Sequence, residues 1–170
     1  MQSHLSGSFN EANLAAAAAL GIKYGVEAKD IVEALESYVP NMNRVEWRDT
    51  GKNKVLLDAY NANPTSMSLS IDSFAKWHKD GIMVLGDMFE LGEEAAAEHE
   101  AIVQQVLDLG LEKHCILVGK LFQATNWKGT GFGTTAELLE NWQQKGAPKG
   151  AHILLKGSRG IALEKLLPLL

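Results

Sequence analysis

With 170 residues the chain has room for about one domain with a real core, and its 46% apolar and 22% charged content is that of an ordinary globular protein. A net charge of −5 with no long basic run argues against nucleic acid or an anionic membrane as a partner. No stretch approaches the roughly 18 apolar residues of a membrane span. The first residues lack the basic start of a signal peptide, and the one cysteine permits no internal disulfide, so the expected location is cytoplasmic.

Residues 9–38 carry two helical patterns. The first runs through Leu14 and a block of alanines to a stop at Gly21. In the second, Ile31, Leu35 and Tyr38 share a face and Pro40 ends the helix. The next piece, to about residue 50, reads as a linker entering a short strand. From Lys54 the pattern changes, and apolar runs of strand length alternate with helical patterns. Lys54–Tyr60 precedes a helix from about Thr65 to Trp77. Ile82–Leu85 precedes one from about Glu93 to Leu109. Ile116–Val118 precedes a short helix near Leu121–Thr125. A weak strand near Gly129–Gly133 precedes a helix from Thr135 to Gln144, and Ile153–Leu155 precedes a last helix from about Ile161 to Leu169.

This alternation predicts an α/β fold: a Rossmann-like, mostly parallel sheet with helices on both faces and right-handed crossovers. The expected division is a helical piece over 1–43, too small to be a domain alone, and an α/β domain over 44–170.

Three strands end in unusual chemistry. The first is Asp58-Ala-Tyr60-Asn61-Ala-Asn63-Pro64. Asn63 with Pro64 suits a helix cap. That explains neither Asn61 nor Asp58, and a carboxylate at a strand's C-terminal end can accept two ribose hydroxyls. The second is Gly86-Asp87-Met88-Phe89-Glu90, either a solvated turn or a site for an amine-bearing substrate. The third is Lys156-Gly157-Ser158-Arg159-Gly160, either a basic loop or an anion site in which Arg159 offers a planar fork to a carboxylate. No G-x-x-x-x-G-K-[ST] phosphate loop is present, and the five histidines show no metal spacing, so no metal site is expected from these residues. Cys115 in an apolar run reads as a buried inert thiol, and His99 on an apolar helix face as packing.

Asp58 to Met67, Val84 to Glu93 and Leu155 to Arg159 together resemble the C-terminal domain of the Mur ligase family, most closely the branch that adds D-Ala-D-Ala. Leu5 to Asn13 is similar to the end of that family's central ATPase domain, and Pro40 to Arg44 to the hinge that follows. The resemblance covers nearly the whole chain. It implies an ATP-dependent ligation in peptidoglycan synthesis. ATP phosphorylates the terminal carboxylate of UDP-N-acetylmuramoyl-tripeptide, and the amine of D-Ala-D-Ala attacks the acyl phosphate. By position in the motifs, Asn10 and Asn13 would lie near the adenine, Arg44 near the nucleotide phosphates and Asp58 on the ribose. Tyr60, Asn61, Asn63 and Asp87 would shape the substrate site, and Lys156, Ser158 and Arg159 would face the dipeptide.

Phe9 departs from the Tyr or His that many relatives carry before the Asn. The phosphate loop, the Mg2+ ligands and the sugar-nucleotide domain of such a ligase are absent from this sequence. The expectation is therefore a fragment that is inactive alone and works with N-terminal and central domains carried on a longer chain. The alternatives are another Mur-type or folylpolyglutamate-type ligase domain, or a stand-alone α/β binding module. The diaminopimelate-adding branch carries Asp-Asn-Pro-Arg where this chain has Asp87-Met88-Phe89-Glu90, which argues against that branch.

Overall fold

A computed structural model describes residues 3–5, 9–38 and 45–170. Helices α1 (Phe9–Lys23) and α2 (Ala28–Ser37) form a pair joined by a turn in which Gly25 takes φ +77°. No residue of α2 is buried, and Leu20, Ile22, Tyr24, Val26, Val32 and Tyr38 are all exposed. Among the described residues, the pair contributes nothing to the two hydrophobic clusters that cover the sheet. Among the described residues, no helix is long and apolar enough to cross a membrane.

The remainder is built on one six-stranded sheet in the order β1-β2-β6-β3-β4-β5. Its strands are β1 (Glu46–Asp49), β2 (Lys54–Asp58), β3 (Ile82–Gly86), β4 (Cys115–Val118), β5 (Thr130–Phe132) and β6 (His152–Lys156). β1 pairs antiparallel with β2 across the tight turn at Gly51; every other pairing is parallel. The expected mostly parallel sheet is therefore present, with one antiparallel edge strand.

The apolar runs are continuous because both faces are covered. On one face, Met83, Leu85, Cys115, Leu117 and Leu154 pack under α3 (Pro64–Trp77), α4 (Ala95–Asp108) and α5 (Lys120–Gln123) through Met67, Ile71, Phe74, Ile102, Val103, Val106 and Phe122. On the other, Val55, Leu57, Val84, Val118, Ile153 and Leu155 pack under Leu138 and Trp142 of α6 (Thr135–Lys145) and under Leu163, Leu166 and Leu170. Each fully buried aliphatic side chain contributes about 1.5–3 kcal/mol relative to exposure. Burial also pushes the Cys115 thiol far above its ordinary range, which keeps it protonated and unreactive.

Local signals set the helix boundaries. α3 starts one residue before its expected first position because Pro64 follows a reciprocal cap. Asn63 Oδ1 accepts from Ser66 N at 2.8 Å, and Asn63 N donates to Ser66 Oγ at 3.2 Å. Thr134 caps α6 by accepting from Glu137 N. α4 begins at Ala95, after a 3-10 turn over Gly92–Glu94.

The expected helix from Ile161 to Leu169 is not α-helical. Two 3-10 segments, Arg159–Ile161 and Leu163–Leu169, are separated by Ala162 at φ +57°, which breaks any continuous helix. Buried Leu163 and Leu166 are three residues apart, a spacing that the three-residue 3-10 turn keeps on one face.

Candidate functional site

The order of the sheet creates the site. From β2 the chain runs through α3, α4 and α5 on one face to β5, then returns through α6 on the other face to insert β6 between β2 and β3. The connections leaving β6 and its two neighbours lie on opposite faces, which is the condition for a ligand crevice at the C-terminal ends of the strands. Three of the five parallel-strand ends at this edge carry the loops singled out in the sequence.

At the end of β2, Asp58 stands in register beside Lys156 at the end of β6. Lys156 Nζ donates to Asp58 Oδ2 at 2.5 Å, with the lysine side chain 2% exposed and the aspartate 13%. Asp58 Oδ1 takes no hydrogen bond among the described residues. The pair opens onto a cleft of about 380 Å³ lined also by Asn61, Asn63, Thr65, Ser66 and Ser70. Asn61 Oδ1 accepts from Ala62 N, which holds that loop turned. The sequence reading missed Thr65, Ser66 and Ser70, although Ser66 and Ser70 stand one helical turn apart on α3.

The second loop is turned inward. Asp87 is 2% exposed, and its carboxylate accepts from Leu121 N and Phe122 N, each at 2.9 Å, at the start of α5. Gly119 makes this possible: it adopts φ +131°, and a Cβ there would sit 2.1 Å from Asp87 Cγ. Asp87 therefore does not line the cleft, contrary to its expected place in the substrate site. Its acidity is used on backbone N–H groups that the end of a helix leaves free. Fully buried His99 accepts from Met88 N at 3.0 Å through Nε2 and meets Ala95 O at 2.6 Å through Nδ1. The imidazole is thus the Nδ1–H tautomer, and beyond packing it anchors the loop.

In the third loop the residues divide. Lys156 and Ser158 are buried, the first on Asp58 and the second with its Oγ accepting from Phe89 N at 2.9 Å. Both were expected to face the dipeptide; Lys156 reaches the cleft only beside Asp58, and the Ser158 hydroxyl is spent on the β3 loop, because β6 is an interior strand flanked by the loops of β2 and β3. Arg159 is exposed, with its guanidinium 5.5 Å from the centre of the Tyr60 ring. Asn13 Nδ2 donates to buried Asn10 Oδ1 at 3.0 Å on α1. Arg44 lies outside the described residues.

The donor set does not suit a divalent cation. Asp58 already holds an ammonium and Asp87 already holds two amides. Among the described residues, no group of three or more His, Cys, Asp or Glu is placed to hold a metal.

A separate cluster occupies the opposite edge of the sheet. His78, which ends α3, stacks on His152, which opens β6, at 4.2 Å and 20°, and Trp47 meets both rings edge-on. Burial, and secondly the neighbouring His152, hold the His78 imidazole below its ordinary pKa.

A sheet of this order with a cleft holding a buried ion pair at its reversal point defines an α/β domain of the Rossmann-like class. The chain belongs to the Mur ligase family, whose model described as "Mur ligase, glutamate ligase domain" matches residues 43–159. It is 31% identical over 95% of its length to the UDP-N-acetylmuramoyl-tripeptide–D-alanyl-D-alanine ligase of Escherichia coli, and 30% identical over 94% to that of Bacillus subtilis. A crystal structure of MurF from Acinetobacter baumannii superposes over 96% of the chain with a TM-score of 0.78 at 29% identity. The chain spans 37% of the length of each of these three proteins.

Proposed function

We propose that this chain supplies the closing domain of an ATP-dependent ligase that joins D-Ala-D-Ala to UDP-N-acetylmuramoyl-tripeptide in the bacterial cytoplasm. Residues 44–170 form that domain, and 1–43 are the last helices of the central ATPase domain. The exposed apolar residues in and between α1 and α2 support this division, because a larger body would cover them.

The observation that carries the reading is the Asp58–Lys156 pair at the reversal point of the sheet. The buried ammonium holds Asp58 in place through Oδ2, and its second oxygen is left to accept ribose hydroxyls of ATP. Asn10 and Asn13 serve the adenine and Arg44 the phosphates. Tyr60, Asn61 and Asn63 shape the cleft, with Asn63 acting mainly through its cap. Arg159 receives the carboxylate of the dipeptide.

In such a reaction the γ-phosphoryl group of ATP passes to the tripeptide carboxylate. The dipeptide amine then forms the new C–N bond as phosphate leaves. A Mg2+ ion would neutralise the triphosphate, with its ligands on the central domain. This chain's part is to bind and orient both small substrates and to exclude water as the domains close.

The test is Asp58→Ala in the complete enzyme. The KM for ATP rises while that for D-Ala-D-Ala holds. Movement of the dipeptide KM alone would show that the ribose assignment is wrong.

A further inference from the structure

Arg159 is the exposed end of a rigid assembly, and the rigidity comes from buried groups in other loops. Three successive backbone N–H groups of the β3 loop are held by three different elements. Asp87 N donates to Val118 O of β4 at 3.0 Å, Met88 N to His99 Nε2 of α4 at 3.0 Å and Phe89 N to Ser158 Oγ of the β6 loop at 2.9 Å. Ser158 N donates back to Asp87 O at 3.0 Å, so Ser158 bonds the β3 loop twice.

The two loops also meet without side chains between them. A Cβ on Gly157 would stand 2.9 Å from Gly86 Cα. Beyond this double bond the chain emerges as Arg159-Gly160. A Cβ on Gly160 would stand 2.7 Å from Phe89 Cε2, so the Phe89 ring rests on that glycine. Arg159 thus follows a fixed serine, precedes a glycine covered by Phe89 and lies over Tyr60. Among the described residues it has no carboxylate partner. A guanidinium whose backbone is held on both sides and which lies over a ring has less freedom to lose when it takes a planar anion.

We propose that Ser158, with His99 behind it, is a positioning residue. It fixes Arg159 as the specificity-determining receptor for the carboxylate of the incoming amine substrate, and Tyr60 and Phe89 wall the guanidinium. The inference rests on the ligase reading above. It adds that selectivity for an acid-bearing amine resides in the bolted β3–β6 loop pair. The buried hydroxyl of Ser158 acts only through Arg159.

The complete ligase containing this chain provides the test, with steady-state KM measured separately for D-Ala-D-Ala and ATP. Arg159→Ala raises the dipeptide KM at least tenfold with the ATP KM unchanged. Ser158→Ala, which removes one hydrogen bond and keeps the arginine but loosens its loop, raises it about three- to tenfold. Tyr60→Leu leaves the buried bonds intact and moves the same constant in the same direction, so a Ser158 variant that fails to fold does not end the test. In this chain alone, Ser158→Ala also speeds hydrogen exchange at the Phe89 amide. An Arg159→Ala effect without any Ser158→Ala or Tyr60→Leu effect overturns the positioning claim and leaves the ligase reading standing. An unchanged dipeptide KM in Arg159→Ala overturns the inference entirely. A wild-type enzyme that ligates no D-Ala-D-Ala overturns the reading beneath it.

Discussion

Replacing Lys156 by Met keeps the length of the side chain and removes its charge. The ammonium is 2% exposed and lies 2.5 Å from Asp58 Oδ2, so the change leaves a carboxylate without its counter-ion. At that distance the gross attraction is about 7 kcal/mol for an effective dielectric constant of about 20. Desolvation of both ions offsets much of it, and removing one partner of a buried pair costs about 3–5 kcal/mol. Asp58 keeps 13% exposure on the cleft, where water can reach it, so Lys156→Met falls at the lower end, about 3 kcal/mol. Asp58→Asn strands the more deeply buried ammonium and costs more, about 4 kcal/mol. The double variant Asp58→Asn/Lys156→Met removes both charges and lies within about 1 kcal/mol of wild type. The assay is urea unfolding followed by tryptophan fluorescence, with unchanged slope as the control. A Lys156→Met cost below about 1 kcal/mol, or a double variant whose cost is the sum of the singles, would refute the claim that this pair is desolvated and coupled.

Three further outcomes are expected. Gly119→Ala places a Cβ on the Asp87 carboxylate in a backbone conformation that L residues avoid; it destabilises by at least about 2 kcal/mol, measured by the same unfolding. His78 has a folded-state pKa below its unfolded value near 6.5, so the unfolded chain binds its proton more readily. The associated stability is complete above about pH 6.5 and is lost as pH falls towards the folded value. Replacing His152 by Phe keeps a ring in the stack and removes the like charge, and the His78 pKa read by NMR moves up. No movement would exclude His152 as a cause.

Much of the fold was legible because the interior parallel strands are buried on both faces and so read as unbroken apolar runs, whereas the exposed edge strand β5 gave only a weak signal. Val55–Leu57 and Ile153–Leu155 are examples. The Asn63-Pro64 cap was legible because its chemistry is local. The pairing of Asp58 with Lys156 was not, because it joins residues 98 positions apart and depends on which strand lies beside β2. Asp87 misled for a related reason. A carboxylate that binds amides at the start of a neighbouring helix has the same sequence signature as one that faces a ligand, and only the position of α5 separates the two. His99 was correctly placed in the core, but its bond to Met88 N requires the return of the β3 loop over α4. The C-terminal leucines have helical composition, and the left-handed backbone at Ala162 carries no signal in its residue type.

The position of β6 has a consequence for how the molecule is made. It follows every other strand in the chain, yet it lies between β2 and β3. During synthesis, β2 and β3 leave the ribosome with facing edges unpaired until residues 152–156 emerge, and an open parallel edge of this kind invites aggregation. Lys156 arrives on the same strand that closes the gap. Asp58 therefore acquires its counter-ion only when the sheet is complete, so a chain that stalls early exposes an unfinished sheet and presents no assembled cleft.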